Sequence, residues 1–561
     1  MKTSLTRTQW VLILILAFAA APYVIRLGAS SLWDSNEAFY AETPREMVES
    51  QDYINPTFNF RPRLNKPPLS YWIVVPFYKF LGISETAERL AVVFGALIMI
   101  ATAYGLGRLA FSAEAGLLAA IGLAAAPRFL MFSRRIMIDV YLAMFTALAL
   151  LMFILAERKP DQRRLFLILM YVFIGLGVIT KGPVAFALPA GALIVYLAVY
   201  RQLNSLRNLM LPAGLIIVAA IVLPWYLAIY YQHGWTHIES FILKDNLSRY
   251  TQQVWGPRRG LFFYIPVMIG DFFPWSLFLI PGLIYAARRV WARKPEISLQ
   301  TRPAVLLAIW IAVTVVFFSL SKSKEDLYIL PIYPAAAALA GGTLASSVGI
   351  GRSAQKSLIR WATLILGISV AAAGAVILYV FGNGIQPYGL AGASPIGSAA
   401  LLGGLFGAGA AVLNRTGLAV LSTALTLSAC NWVFVLFTLP DFERFKPVRS
   451  ACEVIASYQL PPDAMVGYYK TAYPSMVFYL RRPIFEYYEQ REIEGAFLSG
   501  KEIFCMMTAV EYEAIKGRLP AETRVLASYP IFQVKLKSIL ERAEPPRVVL
   551  ISNRGGTNST Q

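Results

Sequence analysis

The run IDVYLAMFTALALLMFILA, residues 138–156, carries one ionisable side chain, Asp139, in a stretch that is otherwise hydrocarbon. Wound as a helix, a stretch of this length crosses a bilayer core about 30 Å thick. Comparable runs lie on both sides of it. About thirteen spans are predicted, some short or kinked, at 10–26, 88–107, 113–127, 138–156, 164–180, 183–200, 208–230, 262–287, 303–320, 327–347, 358–381, 394–413 and 416–438. With 57% hydrophobic and 15% charged residues in 561, the chain reads as a polytopic α-helical membrane protein.

The net charge of +19 does not point to nucleic acid, because many of the basic residues lie in short loops between spans. Lys and Arg are retained on the cytoplasmic side, so ERKPDQRR (157–164), RQLNSLR (201–207), RRVWARKPEISLQTR (288–302) and GRSAQKSLIR (351–360) belong inside. Lys2 and Arg7 put the amino terminus there too, and it reads as a retained first span rather than a cleaved signal peptide. An odd number of spans then puts the carboxyl terminus outside. The outward segments are 27–87, 128–137, the turn Lys181 to Gly182, 231–261, the turn Ser321 to Asp326, and 382–393, although Arg134 and Arg135 run against the rule.

The first outward loop is the most polar part of the membrane region. LWDSNEAFYAETPREMVESQDYINPTFNFRPRLNKPPLSYW, residues 32–72, carries Asp34, Glu37, Glu42, Glu46, Glu49 and Asp52, then Arg61, Arg63 and Lys66. Glu37 to Glu49 has the spacing of an amphipathic helix lying on the membrane, and Tyr71 to Leu81 that of a second interfacial helix. Beyond Pro440 the apolar runs shorten and tyrosines rise. Residues 465–469, 476–479, 502–507, 524–529 and 532–536 read as short strands, which predicts a small α/β domain over 440–545 after the membrane domain 1–439, with 546–561 disordered. At most one disulfide, Cys452 to Cys505, can be argued from the three cysteines. Two histidines, His233 and His237, do not make a metal centre, and no metal or other cofactor is expected.

Each polar candidate has a bland reading beside the chemical one. Asp34 or Glu37 at the membrane surface can deprotonate an acceptor, and the same residues suit a helix cap and first turn. Lys66, fixed by Pro67 and Pro68, suits a lipid phosphate or simple snorkelling beside Tyr71 and Trp72. Asp139 at the edge of a span is a functional candidate or half of an ion pair with Arg134 or Arg135. Lys181 offers an anion site or a cationic helix end. Lys322, Lys324 and Tyr328 sit together in SKSKEDLYILPIYP, and Arg249 lies in a loop rich in basic residues and tryptophan, where arginine suits phosphate. No Walker A loop, dinucleotide fingerprint, HExxH or GxSxG stands in a credible context, so ATP-driven transport and the common hydrolases lose support.

Taken in order, WDSNEAFYAETPREM, QDYINP, LNKPPLSYW, AERLAVVFGAL, TKGPVAFALP and SKSKEDLYILPIYP resemble the bacterial protein mannosyltransferase-like family, which includes the lipid A aminoarabinose transferases. The resemblance runs over roughly residues 30–340 and implies a GT-C-type fold, a polyprenyl-phosphate-linked sugar as donor, inversion at the outer face, and undecaprenyl phosphate as leaving group. It implies Asp34 or Glu37, helped by Asp139, as the acid near the reacting centre. Lys66 and Arg249 then hold the phosphate, with Tyr328 and Lys322 or Lys324 as further ligands. Asn36 and Asn65 stand where those transferases usually have acids, which leaves Asp34 against Glu37 open and weakens any metal site there. The expected enzyme is a monomer in the bacterial inner membrane acting on lipid A, another lipid, a glycan or protein. The alternative is a flippase for lipid-linked sugar, which calls for repeat symmetry and charge at mid-membrane. A third class is a scaffold working through residues 440–545.

Overall fold

The computed structural model describes residues 5–253, 257–291, 302–347, 356–382 and 387–554. Among these, nine helices are long and apolar enough to cross a membrane, two bent pairs pass the same test, and Arg7–Tyr23 and Val184–Val199 are shorter apolar helices. Each of the expected spans falls on one of them. The chain is a multi-pass membrane protein. Its helices run α1 (Arg7–Ala20), α2 (Asn36–Ser50), α3 (Leu69–Leu81), α4 (Glu85–Ala110), α5 (Ala113–Ala125), α6 (Pro127–Ser133), α7 (Ile138–Arg158), α8 (Arg163–Lys181), α9 (Val184–Val199) and α10 (Leu211–His233). They continue as α11 (Trp235–Glu239), a π-helical stretch Ser240–Ser248, α12 (Arg249–Thr251), α13 (Tyr264–Asp271), α14 (Ser276–Trp291), α15 (Arg302–Leu320), α16 (Tyr333–Ser347), α17 (Lys356–Phe381), α18 (Ala393–Val412) and α19 (Thr416–Val433).

Where the chain bends, sequence explains it. Ala126 is extended because Pro127 follows it, so α5 and α6 meet at 68°. The expected span 262–287 is two helices at 118°, α13 and α14, with Pro274 between them. Small residues allow close helix contact: a Cβ on Gly404 of α18 would come within 2.4 Å of the Ala371 nitrogen of α17.

The amphipathic helix expected from Glu37 to Glu49 forms, as α2, but does not lie open on a surface. Glu37, Glu42, Arg45 and Glu46 are all buried, and Arg45 pairs with Glu42 and Glu49 inside its own helix. The short hairpin of β1 (Thr57–Phe58) and β2 (Arg61–Pro62) turns through Asn59 and Phe60, both at positive φ, and Phe58 packs edge-on against Phe39 of α2.

After α19 a five-stranded sheet closes one end of the bundle, in the order β4 (Phe485–Tyr487), β3 (Met465–Tyr469), β5 (Ile503–Thr508), β7 (Arg547–Ser552), β6 (Arg524–Pro530). β3 pairs in parallel with β4 and β5, while β7 runs antiparallel to β5 and β6. Three expectations are corrected here. Residues 476–479 are helical (Met476–Leu480), and 532–536 form no strand; short apolar runs carry no periodicity that separates the two states. Residues 546–561 are not all a disordered tail, because Arg547–Ser552 is an inner strand whose Val548, Leu550 and Ile551 are fully buried, while 555–561 lie outside the described residues. The Cys452–Cys505 disulfide does not form: Cys505 of β5 faces one side of the sheet with Ile503 and Met507, and Cys452 packs on the other with Phe504 and Met506.

Candidate active site

The loop after α1 is fixed from three directions. Arg89, near the start of α4, reaches back to donate to the Leu27, Ser30 and Ser31 carbonyls at 2.6–2.8 Å and holds both oxygens of Glu37 at 2.9 and 3.0 Å. Glu37 also accepts the Trp33 N–H at 2.7 Å and the Ile136 N–H at 3.2 Å. Burial opposes charge on this carboxyl, but the Arg89 guanidinium outweighs it and holds the group below its ordinary value. From the sheet domain, Ser475 donates its N–H at 2.8 Å and its hydroxyl at 2.7 Å to the two oxygens of Asp34. Burial pushes Asp34 up to about 6 despite those bonds. Lys446 donates to the Ser30 hydroxyl at 2.9 Å and to the Ser31 carbonyl, with its ammonium over the Trp33 ring.

Arg134 and Arg135, which break the charge rule, act here rather than on Asp139. Arg134 covers the carbonyls of Pro22, Tyr23, Ile25 and Arg26 where the first span ends, and Arg135 stacks its guanidinium 4.1 Å over Trp33. The partner of Asp139 is Lys181, brought from the far end of the next helix. The same ammonium lies 5.1 Å over the Tyr328 ring. Asp139, Lys181 and Tyr328, separated in sequence, thus form one cluster.

The Lys181 corner is tightly built. Gly182 has φ +96°, and a Cβ there would meet the Phe241 ring at 2.9 Å. Leu64, just before Lys66, packs with Ile179, Trp225 and Ile238, so the lysine-bearing loop lies against the ends of α8, α10 and α11. The preceding turn is pinned as well: Trp72 and Trp225 donate to the carbonyls of Tyr53 and Ile54, and His233 bonds the Asn55 side chain at 2.7 Å. Lys66 is half-buried immediately before Pro67 and Pro68, and Pro68 caps α3. Arg249 starts α12, its carbonyl accepting the Ser323 N–H at 3.1 Å.

Tyr40 links these parts. Its phenol is buried and pushed up, first by desolvation and then by Tyr71, while the charges of Arg63, Asp139 and Arg249 all reach it. Arg63 lies 4.1 Å over Phe39, and among the described residues its buried Nη1 has no hydrogen-bond partner; the Asn65 Oδ1 nearby in sequence is likewise buried without one among them. Tyr40, Arg63 and Arg89 were not among the sequence candidates. Arg89 carried a usable signal, a charge inside an apolar run. Tyr40 and Arg63 carried none beyond membership of a polar loop.

Lys322 and Lys324 line a different space, a cavity of about 670 Å³ together with Arg258 and Arg259. Among the described residues no three His, Cys, Asp or Glu side chains come together as a metal-binding group.

A bundle of membrane helices with a sheet domain over one end, and with charged side chains gathered where the two meet, is the GT-C type of membrane fold. The fold matches that of ArnT from Cupriavidus metallidurans bound to undecaprenyl phosphate, with a TM-score of 0.77 at 24% identity over 99% of this chain and 100% of that one. The family described as dolichyl-phosphate-mannose-protein mannosyltransferase matches residues 10–241. Over part of its length the chain is thus similar to proteins of the protein mannosyltransferase-like family. An uncharacterized protein of Aquifex aeolicus is 30% identical over 61% of this chain and 66% of its own length. The undecaprenyl phosphate-alpha-4-amino-4-deoxy-L-arabinose arabinosyl transferase of Erwinia tasmaniensis is 28% identical over 66% of this chain and 65% of its own. The chain therefore aligns with just under two thirds of the length of these two relatives.

Proposed function

We propose that this chain moves a glycosyl group, with inversion, from a polyprenyl phosphate to an envelope acceptor such as a lipid. The reaction takes place on the membrane face that carries the sheet domain. That face is the periplasmic one of a bacterial inner membrane, with the amino terminus in the cytoplasm, an orientation supported by the basic segments 157–164 and 201–207. The acceptor oxygen attacks the anomeric carbon as it gives up its proton. The bond from that carbon to the phosphate oxygen breaks, and the polyprenyl phosphate leaves with the electron pair.

The observation that carries this reading is the Asp139–Lys181–Tyr328 cluster beside the Lys66 loop. Asp139 is the carboxylate that receives or orients the acceptor proton, and Lys181 fixes its direction. Asp34 and Glu37 hold the loop, since each has both oxygens engaged by Ser475 or by Arg89. Lys66 and Arg249, with Tyr328, stabilise the charge that grows on the departing phosphate. The relatives named for undecaprenyl-phosphate-linked sugar support the donor class.

The test is transfer from a polyprenyl-phosphate sugar by protein reconstituted in liposomes. Asp139→Asn is expected to lower kcat by about 10²–10⁴ while leaving donor affinity nearly unchanged. Lys66→Ala is expected to weaken donor binding. Full activity in both variants, or movement of intact lipid-linked sugar with no glycosidic product, overturns the reading; the second result favours a flippase.

A further inference from the structure

The connection between β6 and β7 leaves the sheet and returns to it. The Ile531 N–H donates to the Pro546 carbonyl at 2.8 Å, which closes the residues between them into one excursion. Its first residues land on the membrane bundle. The Phe532 ring stacks 6.2 Å from that of Phe381, the last residue of the span α17, and lies 5.9 Å from Tyr388 in the loop that follows. Phe442 and Phe445 close over it at 4.6 and 5.4 Å, and the Tyr388 hydroxyl donates to the Gln533 carbonyl at 3.1 Å. The excursion is therefore fixed at the level where α17 leaves the hydrocarbon.

Beyond Gln533 the chain forms a short helix, Leu536–Leu540. Leu536 and Leu540 stand one turn apart on one face and are 74% and 71% exposed, whereas Ser538 and Ile539 are half-buried. Lys535 and Lys537 flank the first leucine and are exposed too. Lys537 lies 3.8 Å from Glu541. Two leucines on the open side of a loop gain nothing in water, but they do gain where the loop rests on hydrocarbon. On the other side of the Phe381–Phe532 contact, Val376 and Tyr379 of α17 are exposed within two turns of Phe381, as the lipid-facing side of a span is.

Exposure alone does not select this face. Val510 is 78% exposed, yet its helix, Ala509–Ile515, packs on the side of the sheet that carries Cys505. The opposite side, with Cys452, receives Phe58 from the first outward loop, so Val510 lies on the side away from the bundle.

We infer that Leu536–Leu540 is a membrane-surface anchor, which inserts Leu536 and Leu540 into the bilayer beside α17 while Lys535 and Lys537 extend to the polar layer and so tether the sheet domain to the membrane. Its partner is the bulk bilayer. No reacting group takes part, so the anchor stands or falls apart from the transfer reaction.

The test uses full-length protein in nanodiscs of phosphatidylcholine and phosphatidylglycerol, with one nitroxide at a time at L536C, L540C, Y379C or V510C. Cys430, Cys452 and Cys505 are buried, so the introduced thiol takes the label. Power-saturation EPR with oxygen and a water-soluble nickel chelate reads the depth of each label. The labels at 536 and 540 are expected about 5–10 Å into the boundary between headgroups and acyl chains, with 379 in hydrocarbon and 510 in water. Adding Leu536→Glu to L540C is expected to lift the 540 label into water. Nickel access at 536 and 540 equal to that at 510, or no lift in the double variant, overturns the anchor. So does spin–spin broadening that disappears on dilution with unlabelled protein, which makes the face a contact between two copies.

Discussion

The Glu37–Arg89 pair shows how much one buried contact organises. Arg89 is 2% exposed and Glu37 1%, and between them they engage the backbone from Leu27 to Ser31 and at Trp33 and Ile136. Arg89→Met leaves a buried carboxylate without its cation, so a loss of about 3–5 kcal/mol is expected, read as a fall in Tm of the detergent-solubilised protein. Glu37→Gln keeps the shape and is expected to lose less. Asp34 makes a different prediction. Its folded pKa is raised to about 6 from an ordinary 3.8, so between those values the folded state binds the proton more tightly than the unfolded chain. Stability due to Asp34 is present below that window and is lost as pH rises through about 6. Asp34→Asn removes this dependence, and wild type should lose Tm relative to the variant between pH 4 and about 7. Equal slopes for the two proteins would refute it. At this scale the sequence revealed Asp139 and Lys181 as unusual but not as partners. Arg134 and Arg135 were nearer in the chain, yet Arg134 turns to the carbonyls at the end of the first span and Arg135 to the Trp33 ring.

At the scale of elements, the Lys181–Gly182 corner joins α8 to α9 and sets the lysine beneath Tyr328. The positive φ and the Phe241 ring leave no room for a side chain at 182. Gly182→Ala is expected to cost about 1–3 kcal/mol and to lower transfer activity further than Tm alone explains, because it displaces Lys181 from Asp139. Sedimentation and melting separate misfolding from a specific catalytic loss. Elements with long apolar runs were legible from the chain, since a bilayer demands them. The apolar run at 476–479 was not: in a soluble layer the same residues serve as strand or helix, and the choice fell to helix where Ser475 at its start bonds Asp34.

Across the whole molecule, the sheet domain is part of the candidate site, because Ser475 and Lys446 hold the loop that carries Asp34 and Glu37. Its last strand, β7, lies between β5 and β6. A chain ending after Arg554 is expected to fold and remain active, whereas one ending after Pro546 removes β7 and should lose the sheet, the loop clamp and transfer together. Limited proteolysis beside an activity assay checks this, and an active chain ending at Pro546 would show that the domain does not support the site.

The sequence by itself determined that the chain is a membrane bundle, where its spans lie, and which loops hold the polar chemistry, because hydrocarbon excludes unpaired backbone and charge over lengths that can be counted along the chain. It also carried the ordered motifs on which the resemblance to the protein mannosyltransferase-like family rests. Only the tertiary structure decided which charges meet: Asp139 with Lys181, Glu37 with Arg89, Asp34 with Ser475. Those pairings join residues tens to hundreds of positions apart, and they depend on helix packing, bends and sheet order, none of which local pattern encodes.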